Sequence, residues 1–293
     1  MNPSSLDALP YIKQTESADG LPLIEIDHPM FQALLTKQGA QLLQFQPRGG
    51  QPLLWMSSNA ILKPGKSVRG GIPVCFPWFG PHPTQPQLPQ HGFARTLPWR
   101  LEMAQADAMS MRFCFMLQDD EQTQALWPHR FQARLTFAFS VECELYFEVE
   151  NLDTQPFELS YALHSYFPVK QIDQASISGL DQLNYLDKVS GSQRKLQAGP
   201  VVFAGEVDRI YLHTEQPMQI HEQGRPAINI ESEGCRSTIV WNPGAEKCAQ
   251  MADMPDAGYQ QMVCVECGNA ADNTLQLAPG ERHRARMVIR AAG

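Results

Sequence analysis

No block of five or more consecutive Lys and Arg occurs in these 293 residues, and 23 basic side chains are outnumbered by 31 acidic ones, a formal net charge of −8. A surface that tracks nucleic-acid phosphates is not expected from such a balance. No apolar run approaches the roughly 18 residues that cross a bilayer, and the first residues, MNPSSLD, lack the cationic start and apolar stretch of a signal peptide. The expectation is a cytoplasmic chain with no membrane partner. A dense disulfide framework is missing too: the seven cysteines (75, 114, 143, 235, 248, 264 and 267) are odd in number and scattered, which reads as free and mostly buried thiols. Fixed-period repeats, low-complexity tracts and charged linkers are absent. One domain over residues 1–293, after a short N-terminal extension of about 20 residues, is the simplest organisation.

The chemical motifs that announce a cofactor are also missing. The chain has no G-x-S-x-G elbow, no P-loop and no dinucleotide fingerprint, and His82, His91, His129 and His164 show no H-x-H or H-x-x-x-H spacing. Cys264 and Cys267 form a single C-x-x-C, but a strand sends positions three apart to opposite faces and no second pair follows. Neither a metal nor a cofactor is expected.

What the chain does have is a period of two. Between Leu135 and Val149 the odd positions are Leu, Phe, Phe, Val, Cys, Leu, Phe and Val, the pattern of a long strand or a hairpin pair with one dry and one wet face. Shorter copies run through Met109, Met111, Phe113, Phe115 and Leu117, and through Ala285, Met287 and Ile289. Further strands are expected at 21–26, 159–163, 201–203, 237–241 and 262–265, each bounded by turn-forming residues. Helical signals are sparse: 120–126, capped by Asp120 and ended by Pro128, and 243–251 behind Asn242. The stretch 31–45 fits either a helical stripe or two short strands turning at Gly39. Many strands without βαβ alternation predict an all-β fold, a large antiparallel β-sandwich with a few short helices.

Three segments carry candidate chemistry. From Arg69 to Arg95 the chain has prolines at 73, 77, 81, 83, 86 and 89, a density that predicts an ordered loop over a rim, held by Phe76, Trp78, Phe79 and Phe93. A rigid structural cover is one reading of it. The other is an anion site, because Arg69 precedes a Gly-Gly pair and Arg95 follows His91-Gly92, so that two planar cations can converge. His164 follows alternating Leu159, Tyr161 and Leu163 and is placed on the opposite face from them; a lone histidine beside apolar neighbours is more often structural. Glu266 interrupts an apolar strand in the even phase, opposite Val263 and Val265. It faces either water or a cleft, and in a cleft desolvation would raise its pKa toward that of a general base.

The segments RGGIPVCFPWFG, QHGFAR, LHSYFPV, DRIYL and VECGN, in this order over roughly Leu21 to Arg290, resemble the glucose-6-phosphate 1-epimerase family, the hexose-6-phosphate mutarotases of the galactose-mutarotase-like superfamily. The resemblance implies a β-supersandwich and interconversion of the α and β anomers of a hexose 6-phosphate, with that small molecule as partner and a monomer as the expected state. It also implies His164 and Glu266 as catalytic residues, Glu266 as ionised base and His164 as protonated acid. Arg69, Gln90, His91, Arg95 and Asp208 are implied as substrate contacts, Arg69 with Arg95 clamping the phosphate. An aldose 1-epimerase of free hexoses, a non-catalytic sugar-phosphate binder and, with Asp208 opposite Glu266, a glycoside hydrolase are the alternatives the residues leave open.

Overall fold

A computed structural model describes Leu6 and residues 9–292. Of the expected N-terminal extension, Ile12–Glu16 is a strand paired with Pro22–His28, so this part belongs to the fold, while residues 1–5, 7 and 8 lie outside the described residues. That hairpin continues through Phe31–Thr36 and Gln41–Pro47 into a four-stranded antiparallel sheet. The ambiguous stretch is therefore two strands: Gly39 sits in the turn at φ +67°, a left-handed conformation in which glycine meets no Cβ penalty.

Two large antiparallel sheets follow. One has nine strands, with Arg282–Ala291 beside Cys143–Asn151, then Phe131–Phe139, Met111–Gln118 and Arg100–Ala106 toward one edge. The alternation seen at 135–149 resolves into a hairpin whose turn carries Val141, exposed at 55%, while Leu135, Phe137, Phe139, Leu145, Phe147 and Val149 are fully buried. Burying side chains of this size stabilises by about 1.5–3 kcal/mol each. The opposite, wet face carries Glu144, Glu148 and Glu150 paired with Arg286, Arg284 and Arg282 of the next strand.

The second sheet has eight strands and positions the site. Along its main path lie Gln193–Leu196, Asn184–Asp187, Val207–Leu212, Ser237–Asn242, Met262–Asn269, Tyr161–Leu163 and Val74–Cys75, with Tyr166–Pro168 also paired to Met262–Asn269. The proline-rich loop is thus not wholly outside the sheet, because Val74 and Cys75 pair with Leu163 and Ala162 at its edge. The expected strand 159–163 is split: Phe157–Leu159 pairs with Leu275–Leu277, and Ser160 breaks the run by donating its N–H to Pro77 and accepting one from Phe79.

Val263, Val265 and Cys267 join the main core with Phe147, Met287 and Ile289 of the nine-stranded sheet, whereas Met262 and Cys264 belong to a separate cluster on the other face. Cys264 and Cys267 are therefore on opposite sides, and all seven cysteines are free thiols. Helices are minor. Glu121–Leu126 carries the expected Asp120 cap, with Thr123 completing a capping box, while the second helix is only Gly244–Cys248, shorter than its sequence pattern. Among the described residues no helix is long and apolar enough to cross a membrane.

Candidate active site

Met262–Asn269 is buried at every position, so Glu266 does not face water: its exposure is 1%. Antiparallel register sets Glu266 beside Ile239, and Trp241 beside Asp208 one strand further out. On the other side, Leu163 pairs with Cys267 and Tyr166 with Cys264, leaving His164 and Ser165 as an interruption opposite Glu266. His164 donates its backbone N–H to Pro73 and Ser165 accepts one from Val265, so the kink is hydrogen-bonded in place. This break turns the imidazole out of the pleat and sets Nε2 at 3.3 Å from Glu266 Oε1.

Around this pair lies a cleft of about 220 Å³ lined by Arg69, Phe79, Gln90, His91, Arg95, His164, Lys188, Asp208, Ile239, Trp241, Lys247, Met251 and Glu266. All seven sequence-predicted site residues reach it. Trp78 does not: it packs against Phe93 and donates Nε1–H to Pro89, whereas Phe79 presents its ring to the cleft. A larger open groove of about 1220 Å³ runs along the four-stranded sheet. Its charged lining residues, Lys13, Glu25 and Asp27, are surface groups, and no histidine meets a carboxylate there.

Electrostatics in the cleft run against charge on either member of the pair. Burial pushes Glu266 well above the usual carboxylate range, Asp208 adds to the push, and Lys188 and Arg95 oppose it. His164 is held well below the usual imidazole range, by burial first and then by His91, Arg95 and Arg69. Burial thus opposes charge on both members and favours a neutral pair holding one proton between them. Two of its atoms, His164 Nδ1 and Glu266 Oε2, are buried without a hydrogen-bond partner, and the polar groups of a ligand are what such atoms require.

His91 is neutral as well, pushed down to about 3 by burial and by Arg95, Lys188 and Arg69. Its Nδ1 accepts from the Gly80 N–H at 3.2 Å, which leaves the proton on Nε2 as a fixed donor. Asp208 approaches Lys188 Nζ at 3.9 Å and is raised above its ordinary value by burial. Arg69 is less free than the sequence suggests. Its Nε and Nη2 both lie 3.1 Å from Asp253 Oδ2, and Nη1 donates to the Tyr166 hydroxyl at 2.9 Å. Tyr166 in turn stacks on His164, with ring centroids 4.9 Å apart and planes 14° apart.

Sequence reasoning missed Lys188, Trp241, Tyr166 and Asp253. A lysine at a hairpin turn, a tryptophan in an apolar strand and an isolated aspartate carry no motif; only their convergence distinguishes them. Cys264 is a further addition, with Sγ, the His164 nitrogen and a Glu266 oxygen all within 4.8 Å of one another, donor types that suit a metal ion. Burial, followed by Glu266, pushes that thiol well above its ordinary range.

A sequence profile described as aldose 1-epimerase matches residues 22–290. A relative from Escherichia coli (strain K12) is 37% identical over 289 residues, 96% of each chain, and one from Salmonella typhimurium is 39% identical over 267 residues, 88% of this chain and 89% of that one. Both are described as "putative glucose-6-phosphate 1-epimerase". The crystal structure of a "putative mutarotase" from Salmonella typhimurium is similar with a TM-score of 0.91 at 36% identity, covering 97% of this chain and 95% of that one. A galactose mutarotase-like protein from Lactobacillus casei, at 14% identity and a TM-score of 0.71, shares the fold.

Proposed function

The chain belongs to the aldose 1-epimerase family, and from that premise we propose that it interconverts the α and β anomers of hexose 6-phosphates, glucose 6-phosphate first among them. The observation that carries this reading is the buried histidine–carboxylate contact of 3.3 Å in a cleft that also holds four cationic side chains. Mutarotation needs one proton removed from the anomeric hydroxyl and one delivered to the ring oxygen. A pair sharing a single proton has that inventory.

With the proton on His164 and Glu266 ionised, the carboxylate takes the O1 proton as the imidazolium protonates O5. The C1–O5 bond breaks and an aldehyde forms at C1. Both protein groups end neutral. Burial, which opposes charge on each of them, thus favours the state that accompanies the open sugar. After rotation about C1–C2, the Glu266 carboxyl returns a proton to the aldehyde oxygen, His164 takes the O5 proton, and the ring closes on the other face. Each proton-transfer group in such a scheme is typically worth about 10² to 10⁴ in rate.

The other cleft residues have consistent tasks. His91 Nε2 and the Gln90 amide are donors for sugar oxygens, Asp208 is an acceptor for sugar hydroxyls, and Phe79 and Trp241 offer faces for the ring carbons. Arg95 meets the phosphoryl group, and Arg69 fixes Tyr166 against the catalytic imidazole. The experiment is anomer exchange measured by NMR on glucose 6-phosphate beside glucose. Exchange accelerated with the phosphorylated sugar above the uncatalysed rate supports the reading, and exchange at the uncatalysed rate overturns it.

A further inference from the structure

Beside the histidine–carboxylate pair stands a third group that the proton-exchange scheme does not use. Cys264 lies two positions before Glu266 in Met262–Asn269, on the same face of that strand, and is laddered to Trp241 on one side and to Tyr166 on the other. His164 approaches both from the break that ends at Tyr166. Cys264 Sγ, a ring nitrogen of His164 and a carboxylate oxygen of Glu266 all lie within 4.8 Å of one another, and all three residues are buried. Backbone thus brings a thiol, an imidazole and a carboxylate to one point, and the last two line the cleft.

These donors are not committed elsewhere. Among the described residues the Cys264 thiol makes no hydrogen bond, whereas Cys248 in the same cluster donates to the Pro255 carbonyl at 3.3 Å. His164 Nδ1 and Glu266 Oε2 are buried without a partner. The surroundings are rich in sulfur: Cys248, Met254 and Met262 share the cluster with Cys264, and Met251 packs on it and lines the cleft. Thiolate, imidazole and carboxylate together suit zinc, whereas magnesium and calcium take oxygen ligands in larger number. A tetrahedral ion with bonds of about 2.0–2.3 Å holds its donors about 3.3–3.7 Å apart. His164 and Glu266 already meet at 3.3 Å, so the thiol is the donor that has to close in.

We propose that Cys264, His164 and Glu266 form a binding site for a thiophilic divalent cation of the zinc type, and that an ion seated there shuts the enzyme off reversibly. The regulatory half rests on the mutarotase reading; the site itself does not. As the ion binds, the Cys264 thiol and the Glu266 carboxyl each release a proton to the buffer, one metal–sulfur and one metal–oxygen bond form, and His164 supplies a nitrogen lone pair. One thiolate and one carboxylate cancel the two charges of the ion, so the loaded site is electrically neutral, as a buried position requires. The lone pairs that exchange protons with O1 and O5 are then held by the ion, and mutarotation stops.

The test adds zinc chloride to the whole chain, with magnesium chloride as the comparison, and reads binding and activity separately. Calorimetry should find one zinc ion per chain, and Cys264→Ser should weaken its binding about tenfold or more, since losing a ligand costs at least what losing a supporting residue does. Cys114→Ser, at the one cysteine that is not buried, should bind zinc as the wild type does. Cobalt(II) in place of zinc should give the near-ultraviolet charge-transfer band of a thiolate ligand in the wild-type protein, a readout that stands even where the Cys264 variant does not fold. In NMR exchange on glucose 6-phosphate, saturating zinc should lower the catalysed rate about a hundredfold or more, chelator should restore it and magnesium should leave it unchanged. No zinc binding by the wild type, binding that survives Cys264→Ser or is lost with Cys114→Ser, or a cobalt complex without the thiolate band overturns the site. Catalysed exchange that persists with zinc bound overturns the switch and leaves the mutarotase reading standing. A protein that binds zinc through Cys264 but never exchanges anomers sinks that reading and leaves the site standing.

Discussion

Replacing Glu266 by Gln should make the protein nearly inactive and, above acidic pH, more stable. The activity side follows from the contact of 3.3 Å with His164: the amide keeps the shape but can neither accept the anomeric proton nor return it. Losing one general base costs about 10² to 10⁴ in rate, or about 3–5 kcal/mol of barrier. The stability side follows from burial. Because the folded protein holds the Glu266 proton more tightly than the unfolded chain does, wild-type stability falls as pH rises from the ordinary carboxylate range through the raised folded value. The amide variant has no such loss. His164, whose folded value is depressed, lowers stability only as pH falls below its ordinary value, so the neutral and alkaline part of the comparison belongs to Glu266. The melting temperature of Glu266→Gln minus that of wild type should therefore grow from pH 5 to pH 8, and each 1 kcal/mol corresponds to about 2 °C in a chain of this size. Two assays suffice, thermal melts across that range and NMR exchange on glucose 6-phosphate corrected for the spontaneous rate. A difference that stays constant or shrinks with pH refutes the burial argument. Exchange within threefold of wild type removes Glu266 from the base role.

Other expectations are as direct. A double-mutant cycle with Arg69→Met and Asp253→Asn should give a coupling of about 1 kcal/mol or more in denaturant melts, because the two side chains are only 25% and 20% exposed and share two short contacts; a coupling near zero refutes the claim that Arg69 is neutralised in place. At Gly92 (φ +71°) an added Cβ would stand 2.0 Å from the Phe76 carbonyl oxygen, so Gly92→Ala should cost about 3 kcal/mol or more. Gly280→Ala (φ +75°), with nothing within 4 Å, should cost about 1–2 kcal/mol, and equal melting temperatures for the two variants would contradict the close approach. In the pH profile, kcat should show no acidic limb at the ordinary histidine value, since burial holds His164 well below it; a one-proton loss of kcat centred near pH 6.5 would refute the neutral pair.

The nine-stranded sheet was legible because one of its faces is wet. Leu135, Phe137 and Phe139, then Leu145, Phe147 and Val149, alternate with polar residues only because the Glu–Arg rows beyond them remain in solvent. Met262–Asn269 is buried on both faces, so periodicity vanishes and a single carboxylate was the remaining signal. Residues 159–163 read as one strand because Ser160 is small and unremarkable; its role as a hydrogen-bonded corner between two sheets depends on Pro77 and Phe79, eighty residues away in sequence. His164 and Glu266 were found by their oddity within apolar runs and by resemblance. Lys188 and Asp253 could not be found in that way, since charged residues on turns are the common case and their meaning lies in which partner each one has.

Placing the carboxylate in a central strand explains how the site keeps its geometry. Glu266 is laddered to Ile239 on one side, its neighbours Cys264 and Cys267 are paired on the other, and the imidazole that meets it hangs from a break stitched to Pro73 and Val265. A loop-borne pair would keep its charges solvated and its separation loose. Here the backbone sets the separation, and burial keeps both groups near neutrality, the form that proton exchange with an uncharged hydroxyl and an uncharged ring oxygen both produces and consumes. The cations of the cleft are held differently, by groups on turns and loops rather than by a central strand. Lys188, on a hairpin turn, stands 3.9 Å from Asp208, and Arg95, on the proline-rich loop, donates to the Gln90 carbonyl at 2.8 Å. A sheet strand thus fixes the buried pair, and the loops around it carry the cations that line the same cleft.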